Sequence, residues 1–160
     1  MVPTTLHSVT LRPAQANDEA FLQELYRSAR AEEMAAWGWD ESQQQLFLGL
    51  QFRAQQAHYN EYPNTDHKII SEGELEIGRI LVSRLEDEIR LVDITLLAKH
   101  RGQGIGKMLI QSLIDEAAQR DKTVRLHVAK SNRAQQLYSR LGFQIIGDAQ
   151  SHHFMEWKKS

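Results

Sequence analysis

Three glycines recur at every second position, Gly102, Gly104 and Gly106, and cations lie beside them at Arg101 and Lys107. Glycine permits positive φ angles and lets an anion approach the backbone with no Cβ in the way. The hydrophobic pattern predicts a helix directly after this turn. The first N–H groups of a helix lack partners within the helix and attract phosphates. The turn therefore predicts an anion site, with a phosphate-bearing ligand as the candidate.

Two common phosphate-binding motifs do not fit this turn. A P-loop needs Gly-x-x-x-x-Gly-Lys-Ser/Thr, but Arg101 occupies the position of its first glycine and Met108 the position of its hydroxyl. The dinucleotide-binding motif needs its third glycine at position 107, which is Lys107 here. A structural interpretation stays open for the glycines alone, since they would also permit close packing of the helix on the preceding strand.

Asp93 is a second candidate for chemistry, because it is a carboxylate in the middle of a nearly apolar run from Leu91 to Leu97. Burial would raise the pKa of its carboxyl group and make it a candidate base. The interpretation we favour is a structural acid paired with Arg79, Arg90 or Arg125. His127 alternates with apolar residues on a strand, which favours a packing or surface histidine over a functional one.

The elements that must position these residues follow from hydrophobic periodicity and give the order βααβββαβαββ. Asn17 or Asp18 is expected to cap the first helix and Asp40 the second. A phase slip near Gly78 predicts a bulge. A strand, a long helix and a second strand form a βαβ unit, which implies a parallel pair. Strands are predicted at 8–12, 67–72, 74–84, 88–97, 124–128, 143–147 and 154–157, and the helix after the glycine turn carries Ile105, Leu109 and Leu113 on one side.

Length and composition exclude several classes of protein. The 160 residues suit one domain spanning 1–160, with 41% hydrophobic and 25% charged residues. A net charge of −2 argues against nucleic-acid binding, and the chain has no cysteine for disulfides or thiolate catalysis. No apolar run approaches the ~20 residues of a membrane span, and Met1–Thr5 does not open an export signal. We therefore expect a cytoplasmic protein that does not bind membranes.

Two separated motifs resemble those of the Gcn5-related N-acetyltransferase (GNAT) superfamily. The first is Arg101-x-x-Gly104-x-Gly106 after a buried strand, and the second runs from Ser131 to Phe143 as SNRAQQLYSRLGF. The element order and an Arg12-Pro13 opening also match the family. The resemblance implies a mixed α/β fold of the acyl-CoA N-acyltransferase type. Its sheet would be mostly antiparallel, with about seven strands and one splayed parallel pair, flanked by four helices.

The resemblance implies transfer of an acetyl group from acetyl-CoA to a primary amine of a small molecule or protein by direct attack, with no metal. The gap would open between Leu96 and Val128. Tyr138 would be the general acid, with core packing as its alternative role, and the N–H of Leu96 would bind the thioester oxygen. The implied cofactor-binding residues are Ile94, Thr95, Leu96, Arg101, Gly102, Gln103, Gly104, Ile105, Gly106, Lys107 and Asn132.

The chain departs from the family pattern in two places. Ala98 stands where the family usually has proline, and one residue is missing between Asn132 and Ala134. Asn132 would then either touch the pantetheine arm or cap the next helix. The acceptor pocket would draw on the first two helices, where the alternative role is core packing; the candidates are Trp37, Trp39, Gln51, Phe52, Gln55, Tyr59 and Tyr62.

Two further questions stay open at this point. A CoA-binding module without turnover is the alternative to an enzyme, and the acceptor amine is not identified by the sequence. Exposed strand edges near the C-terminus favour a homodimer.

Overall fold

The computed structural model of the chain describes residues 8–160, which fold into one sheet and four α-helices. The strands are β1 (Val9–Pro13), β2 (Thr65–Glu72), β3 (Leu75–Arg84), β4 (Glu88–Leu96), β5 (Thr123–Ala129), β6 (Gln144–Asp148) and β7 (His152–Trp157). The helices are α1 (Glu19–Ala35), α2 (Glu41–Tyr59), α3 (Ile105–Gln119) and α4 (Ala134–Arg140). The predicted order βααβββαβαββ is therefore confirmed. The segment 1–5, where the sequence predicts no export signal, lies outside the described residues.

The sheet has the strand order β1-β2-β3-β4-β5-β7-β6. Among the described strands, β4 and β5 are parallel and every other neighbouring pair is antiparallel. The predicted mixed α/β fold with one parallel pair is thus confirmed. The long helix α3 makes the crossover between β4 and β5, as a parallel connection requires.

Two irregularities shape the centre of the sheet. The register of β2 and β3 shifts between Ile70, opposite Gly78, and Ser71, opposite Glu76, so Ile77 is an extra residue in β3. This is the bulge predicted near Gly78. A second register shift lies between β3 and β4. Leu81 of β3 is opposite Asp93 and Val82 is opposite Leu91, so Val92 is an extra residue in β4. The sequence pattern did not predict this second bulge, which bends β4 at the centre of the sheet.

Helices cover both faces of the sheet. On one face, Leu22 of α1 and Phe52 of α2 pack against Ile69 of β2. The larger core lies on the other face, where α3 and α4 bury Leu109, Ile110 and Tyr138 against the strands. The two faces therefore carry different side chains from the same strands, as the two-residue repeat of a strand requires.

The helix caps were predicted with mixed success. Asp40 caps α2 as expected, since its Oδ1 accepts a hydrogen bond from Gln43 N at 2.8 Å. Asp18 occupies the N-cap position of α1 as predicted, but its side chain makes no capping hydrogen bond. Its carboxylate is instead held by the Arg12 guanidinium and by the N–H of Gln15, at 2.7 Å, in a short 3-10 turn. The Arg12 guanidinium also lowers the pKa of Asp18 to about 2.

No helix within residues 8–160 combines the length and the apolar character needed to cross a bilayer.

Candidate active site

A cleft opens where β4 and β5 part. Their parallel pairing runs from Glu88 opposite Thr123 to Leu91 opposite Leu126 and ends there. Beyond this point β4 stays paired with β3 as far as Leu96, and β5 stays paired with β7 as far as Ala129. The space between them belongs to a cleft of about 640 Å³. The bulge at Val92 directly follows the last paired residue of β4 and coincides with the divergence.

The rim of β4 presents backbone groups to this opening. Leu97 N donates to Ile77 O of β3 at 2.8 Å. Since the N–H groups of alternate residues point to opposite sides of a strand, the N–H and C=O of Leu96 and Ile94 point away from β3, towards the cleft side. The Leu96 carbonyl accepts a hydrogen bond from Arg101 Nε at 2.9 Å, in agreement with this direction.

Thr95 differs from its two neighbours. The same alternation turns its backbone groups towards β3, where it lies opposite Arg79. Its hydroxyl donates to Asp93 Oδ1 at 2.8 Å. The backbone groups of Ile94 and Leu96 therefore point away from β3, and those of Thr95 point into the sheet. Of these three residues, Ile94 lines the cleft.

The glycine turn lies at the carboxyl end of β4. A short 3-10 turn, Ala98–His100, leads into it, and α3 begins at Ile105. Gly104 has φ +87°, and the first helical hydrogen bond runs from Met108 N to Gly104 O at 3.0 Å. Among residues 8–160, no backbone acceptor faces the N–H groups of 102–104. The N–H groups of 105–107 precede the first helical bond, so the turn offers a continuous row of donors.

Arg101 and Lys107 flank this row but differ in their contacts. Arg101 turns its guanidinium back to the Leu96 carbonyl, so it ties the turn to the end of β4. Gln103 Nε2 donates to Lys99 O at 3.1 Å and closes the other side of the turn. The predicted binding turn, 101–107, is thus one compact unit adjoining the parted strand.

Tyr138 lies on α4 and lines the cleft from the side of the larger core. Its side chain is 6% exposed, and its ring lies 5.6 Å from the ring of Phe143. Burial, with a smaller contribution from the Asp93 charge, raises the pKa of Tyr138 to about 12. The phenol therefore stays protonated at neutral pH and can donate a proton. The same ring therefore packs in the core and lines the cleft, as the two predicted roles of core packing and proton donation each require.

Asn132 also lines the cleft. Its Oδ1 accepts a hydrogen bond from Ala134 N at 2.9 Å, at the start of α4. This contact corresponds to the capping alternative that the missing residue suggested. The side-chain Nδ2 is not used by this bond.

Asp93 is paired, as the structural interpretation expected. Its Oδ2 lies 2.9 Å from Arg79 Nε and 2.8 Å from Arg79 Nη2, while Thr95 donates to Oδ1. Arg79 is 4% exposed and donates from Nη2 to Gln55 Oε1 at 2.7 Å. Its guanidinium also lies 5.1 Å from the centre of the Tyr59 ring. Of the three arginines considered from the sequence, the structure selects Arg79.

The residues predicted for an acceptor pocket separate into three groups. Tyr59 and Tyr62 line the cleft, and Gln55 supports Arg79 behind it. Phe52 belongs to the core, and Gln51 accepts hydrogen bonds from Tyr26 and Arg30. Trp37 and Trp39 are absent from the lining and pack with Phe47 at an exposed end of the helices, so their assignment to the pocket was wrong.

Sequence reasoning undervalued three residues of the cleft, Arg90, His127 and His152. His127 stacks on Phe154 with ring centres 4.5 Å apart, and Arg90 lies 5.0 Å from the centre of the same ring. Partial burial and the charge of Arg90 lower the pKa of His127. His127 could have been recognised from its position just past the expected end of the parallel pairing, where strand residues face an opening.

Comparison with known proteins shows which protein family the sequence matches. The family model described as "Acetyltransferase (GNAT) domain" matches residues 64–145. Residues of the chain are 32% identical over 80 positions to the [ribosomal protein bS18]-alanine N-acetyltransferase of Haemophilus influenzae, a match covering 49% of this chain and 54% of that protein. The chain thus matches about half the length of that curated relative.

Solved structures agree on the fold. The PaiA N-acetyltransferase of Thermoplasma acidophilum, in complex with coenzyme A, superposes with a TM-score of 0.71 at 18% identity, over 95% of this chain and 99% of that one. The ribosomal-protein-S18-alanine N-acetyltransferase of Escherichia coli gives a TM-score of 0.63 at 20% identity, over 95% and 94% of the two chains. At these identities the likeness concerns the fold.

Proposed function

Because the chain belongs to the GNAT acetyltransferase domain family, we propose that it is an N-acetyltransferase that moves the acetyl group of acetyl-CoA to a primary amine. The single observation that carries the proposal is the end of the β4–β5 pairing at Leu91 and Leu126. It leaves outward-facing backbone groups on β4 beside a turn of unpaired N–H donors. We propose one such domain over residues 1–160.

The described residues fit the co-substrate. The N–H groups of 102–107 suit a diphosphate. Apart from adjacent residues and the helix's own backbone, no described atom lies within 4 Å of a Cβ built on Gly102 or Gly106, so the turn has room for it. The outward N–H and C=O groups of Ile94 and the outward N–H of Leu96 suit the amides of a pantetheine arm, in the manner of an added strand. When bound, acetyl-CoA supplies an activated acetyl thioester.

Three groups of the chain would act on the reaction. The N–H of Leu96 would donate to the thioester oxygen as negative charge develops there, an effect worth about 10²–10³ in rate at known oxyanion holes. Tyr138 would donate its proton to the departing thiolate and recover one from solvent. Arg79 neutralises Asp93, so the carboxylate at the floor of the cleft does not repel that thiolate.

The acceptor is proposed only as a chemical class, a primary amine. An amine would approach from the side of α2, where Tyr59 and Tyr62 line the cleft. Asp93, the one carboxylate of the described lining, is already paired with Arg79, which does not favour a polycation. The relative from Haemophilus influenzae is named as an N-acetyltransferase of an alanine of ribosomal protein bS18, so a peptide that begins with alanine belongs among the acceptors to be tried.

Two further predictions, a homodimer and a cytoplasmic location, stay proposals. The homodimer is supported by β6, which pairs with β7 at the edge of the sheet and exposes Ile145 and Ile146. The cytoplasmic location stays a prediction from the sequence. Light scattering on the purified chain tests the first of these.

The test of the function has two steps. Thermal shift is measured with acetyl-CoA, CoA, ATP and NAD, and free-thiol release is then measured with spermidine, a lysine peptide and an alanine N-terminal peptide. We expect stabilisation by acetyl-CoA and CoA, and thiol release with at least one amine. Stabilisation without release on any amine would favour a CoA-binding module. Stabilisation by ATP or NAD alone would contradict the proposal.

A further inference from the structure

His127 occupies the first position of β5 beyond its pairing with β4. Leu126 is the last paired residue, and His127 pairs only with Phe154 of β7. Strand alternation puts His127 on the sheet face opposite Leu126 and Val128, which are buried in the larger core with Tyr138. The imidazole therefore reaches the cleft from the α2 side, whereas Tyr138 reaches it from the other.

The charged groups and the other imidazoles on the α2 side of the cleft have partners. Asp93 is held by Arg79 and Thr95, and Arg90 Nε donates to Glu88 Oε2 at 2.9 Å. The imidazoles of His58 and His152 also have neighbours, at 3.8 Å from Glu61 and 2.8 Å from Ser151 Oγ.

His127 contrasts with this set. Within residues 8–160 its ring takes part in stacking on Phe154 and in no hydrogen bond or ion pair. The stacked ring is held in one plane, since its centre lies 4.5 Å from that of Phe154 with 14° between the planes. Its edge nitrogens stay available to a group that enters the cleft.

We propose that His127 is the general base that takes the proton of the attacking amine, an inference that rests on the proposed function. A neutral ring nitrogen of His127 accepts one proton from the amine while the nitrogen lone pair forms the N–C bond to the acetyl carbon. The C–S bond breaks, and Tyr138 protonates the sulfur. His127 returns its proton to solvent, so the cycle is balanced.

The surroundings keep this base neutral at the pH of use. Burial comes first among the causes that lower the pKa of His127, followed by the charges of Arg90, His152 and His58. The remaining titratable groups that face the cleft are Tyr59, Tyr62, Asp93 and Tyr138. A base whose pKa lies below its usual value is competent above that pKa, so activity should fall as the pH drops through it.

The experiment compares His127→Gln with wild type on the best amine of the panel. We expect kcat/KM to fall by about 10²–10⁴, the acidic limb of its pH profile to disappear, and the affinity for CoA to stay within about twofold. His153→Gln is the matched control, because His153 lies on the neighbouring strand near Asp148 at 3.1 Å and outside the cleft lining. His153→Gln should keep both the wild-type kcat/KM and the acidic limb of the pH profile.

A second variant separates catalysis from packing. His127→Ala should regain part of its rate when imidazole is added, since a small base can enter the vacated space. The inference would be overturned if His127→Gln kept the wild-type kcat/KM and the acidic limb of its pH profile. It would also be overturned if His127→Ala lost activity, was not rescued by imidazole and still showed the acidic limb. Absence of wild-type turnover on every amine would instead contradict the proposed function, and the inference with it.

Discussion

Tyr138 combines burial with access to the cleft, which suits a proton donor. Replacing it with phenylalanine keeps the packing against Phe143 and removes only the hydroxyl group. We expect Tyr138→Phe to slow turnover by about 10²–10⁴ while the dissociation constant for CoA changes little. Because its pKa is raised to about 12, Tyr138 should cause no loss of rate between about pH 7 and 9.

Tyr26→Phe is the matched control for that variant. The Tyr26 hydroxyl donates to Gln51 Oε1 at 3.2 Å, away from the cleft lining, so its loss should leave turnover unchanged. Steady-state kinetics and calorimetric titration with CoA measure both variants. Equal rates for Tyr138→Phe and wild type would reduce Tyr138 to a packing residue.

The Arg79–Asp93 pair makes a prediction about stability. Arg79→Met leaves the Asp93 carboxylate largely buried without its partner, which typically costs about 3–5 kcal/mol of the free energy of unfolding. Adding Asp93→Asn to this variant removes the uncompensated charge and should recover part of the loss. Urea unfolding of both variants tests the pair; a single variant as stable as wild type would show that Arg79 does not neutralise Asp93.

Residue roles were only partly predictable from the sequence. The pattern identified Asp93 as a buried carboxylate but left three arginines as partners, because the choice depends on which strand lies beside it. The pocket assignment of Trp37 and Trp39 failed because aromatic residues pack equally well on one another, here around Phe47. A functional role of His127 was not predicted, because alternation along β5 does not show where β4 stops pairing with it.

At the scale of elements, Gly78 sets how closely β3 approaches the parted end of β4. A Cβ built on Gly78 would lie 2.2 Å from Thr95 O and 2.8 Å from Leu96 Cδ2. Gly78→Ala must therefore push β4 at the point where its backbone faces the cleft. We expect a loss of about 1–3 kcal/mol in the free energy of unfolding and a weaker affinity for CoA.

Gly49→Ala is the control for this substitution. Gly49 lies inside α2, and no described atom beyond its neighbours and its own helix backbone lies within 4 Å of an added Cβ, so alanine should stabilise the helix by about 0.5–1 kcal/mol. Thermal unfolding and CoA titration compare the two. If Gly78→Ala matched wild type in both, the close approach of β3 and β4 would have no bearing on the site.

Two matched valine substitutions separate the role of the glycine turn in CoA binding from the effect of backbone strain. Valine at Gly104, φ +87°, and at Gly73, φ +62°, meets the same unfavourable left-handed conformation. Both variants should lose stability, but only Gly104→Val should lose CoA affinity, because Gly73 lies in the β2–β3 turn. Calorimetric titration measures the difference; tight CoA binding by Gly104→Val would show that the turn serves packing alone.

At the scale of the whole molecule, the element order followed from hydrophobic periodicity, and the parallel pair followed from one long helix between two strands. The bulge near Gly78 was visible as a break in alternation. The second bulge at Val92 was not predicted, although the polar positions of β4 change phase across it, from Arg90 to Asp93 and Thr95. The cleft depends on this detail, so its position came from the family resemblance and not from periodicity.

The most direct test of the central claim is an amide NMR titration of the whole chain with CoA. Binding along the parted strand and the glycine turn should shift the amide signals of Ile94, Leu96 and residues 102–107 and slow their exchange with solvent. Those signals should move together, with one dissociation constant. Unmoved signals at these positions, or shifts confined to the separate cavity beside Gln56 and His67, would contradict the claim.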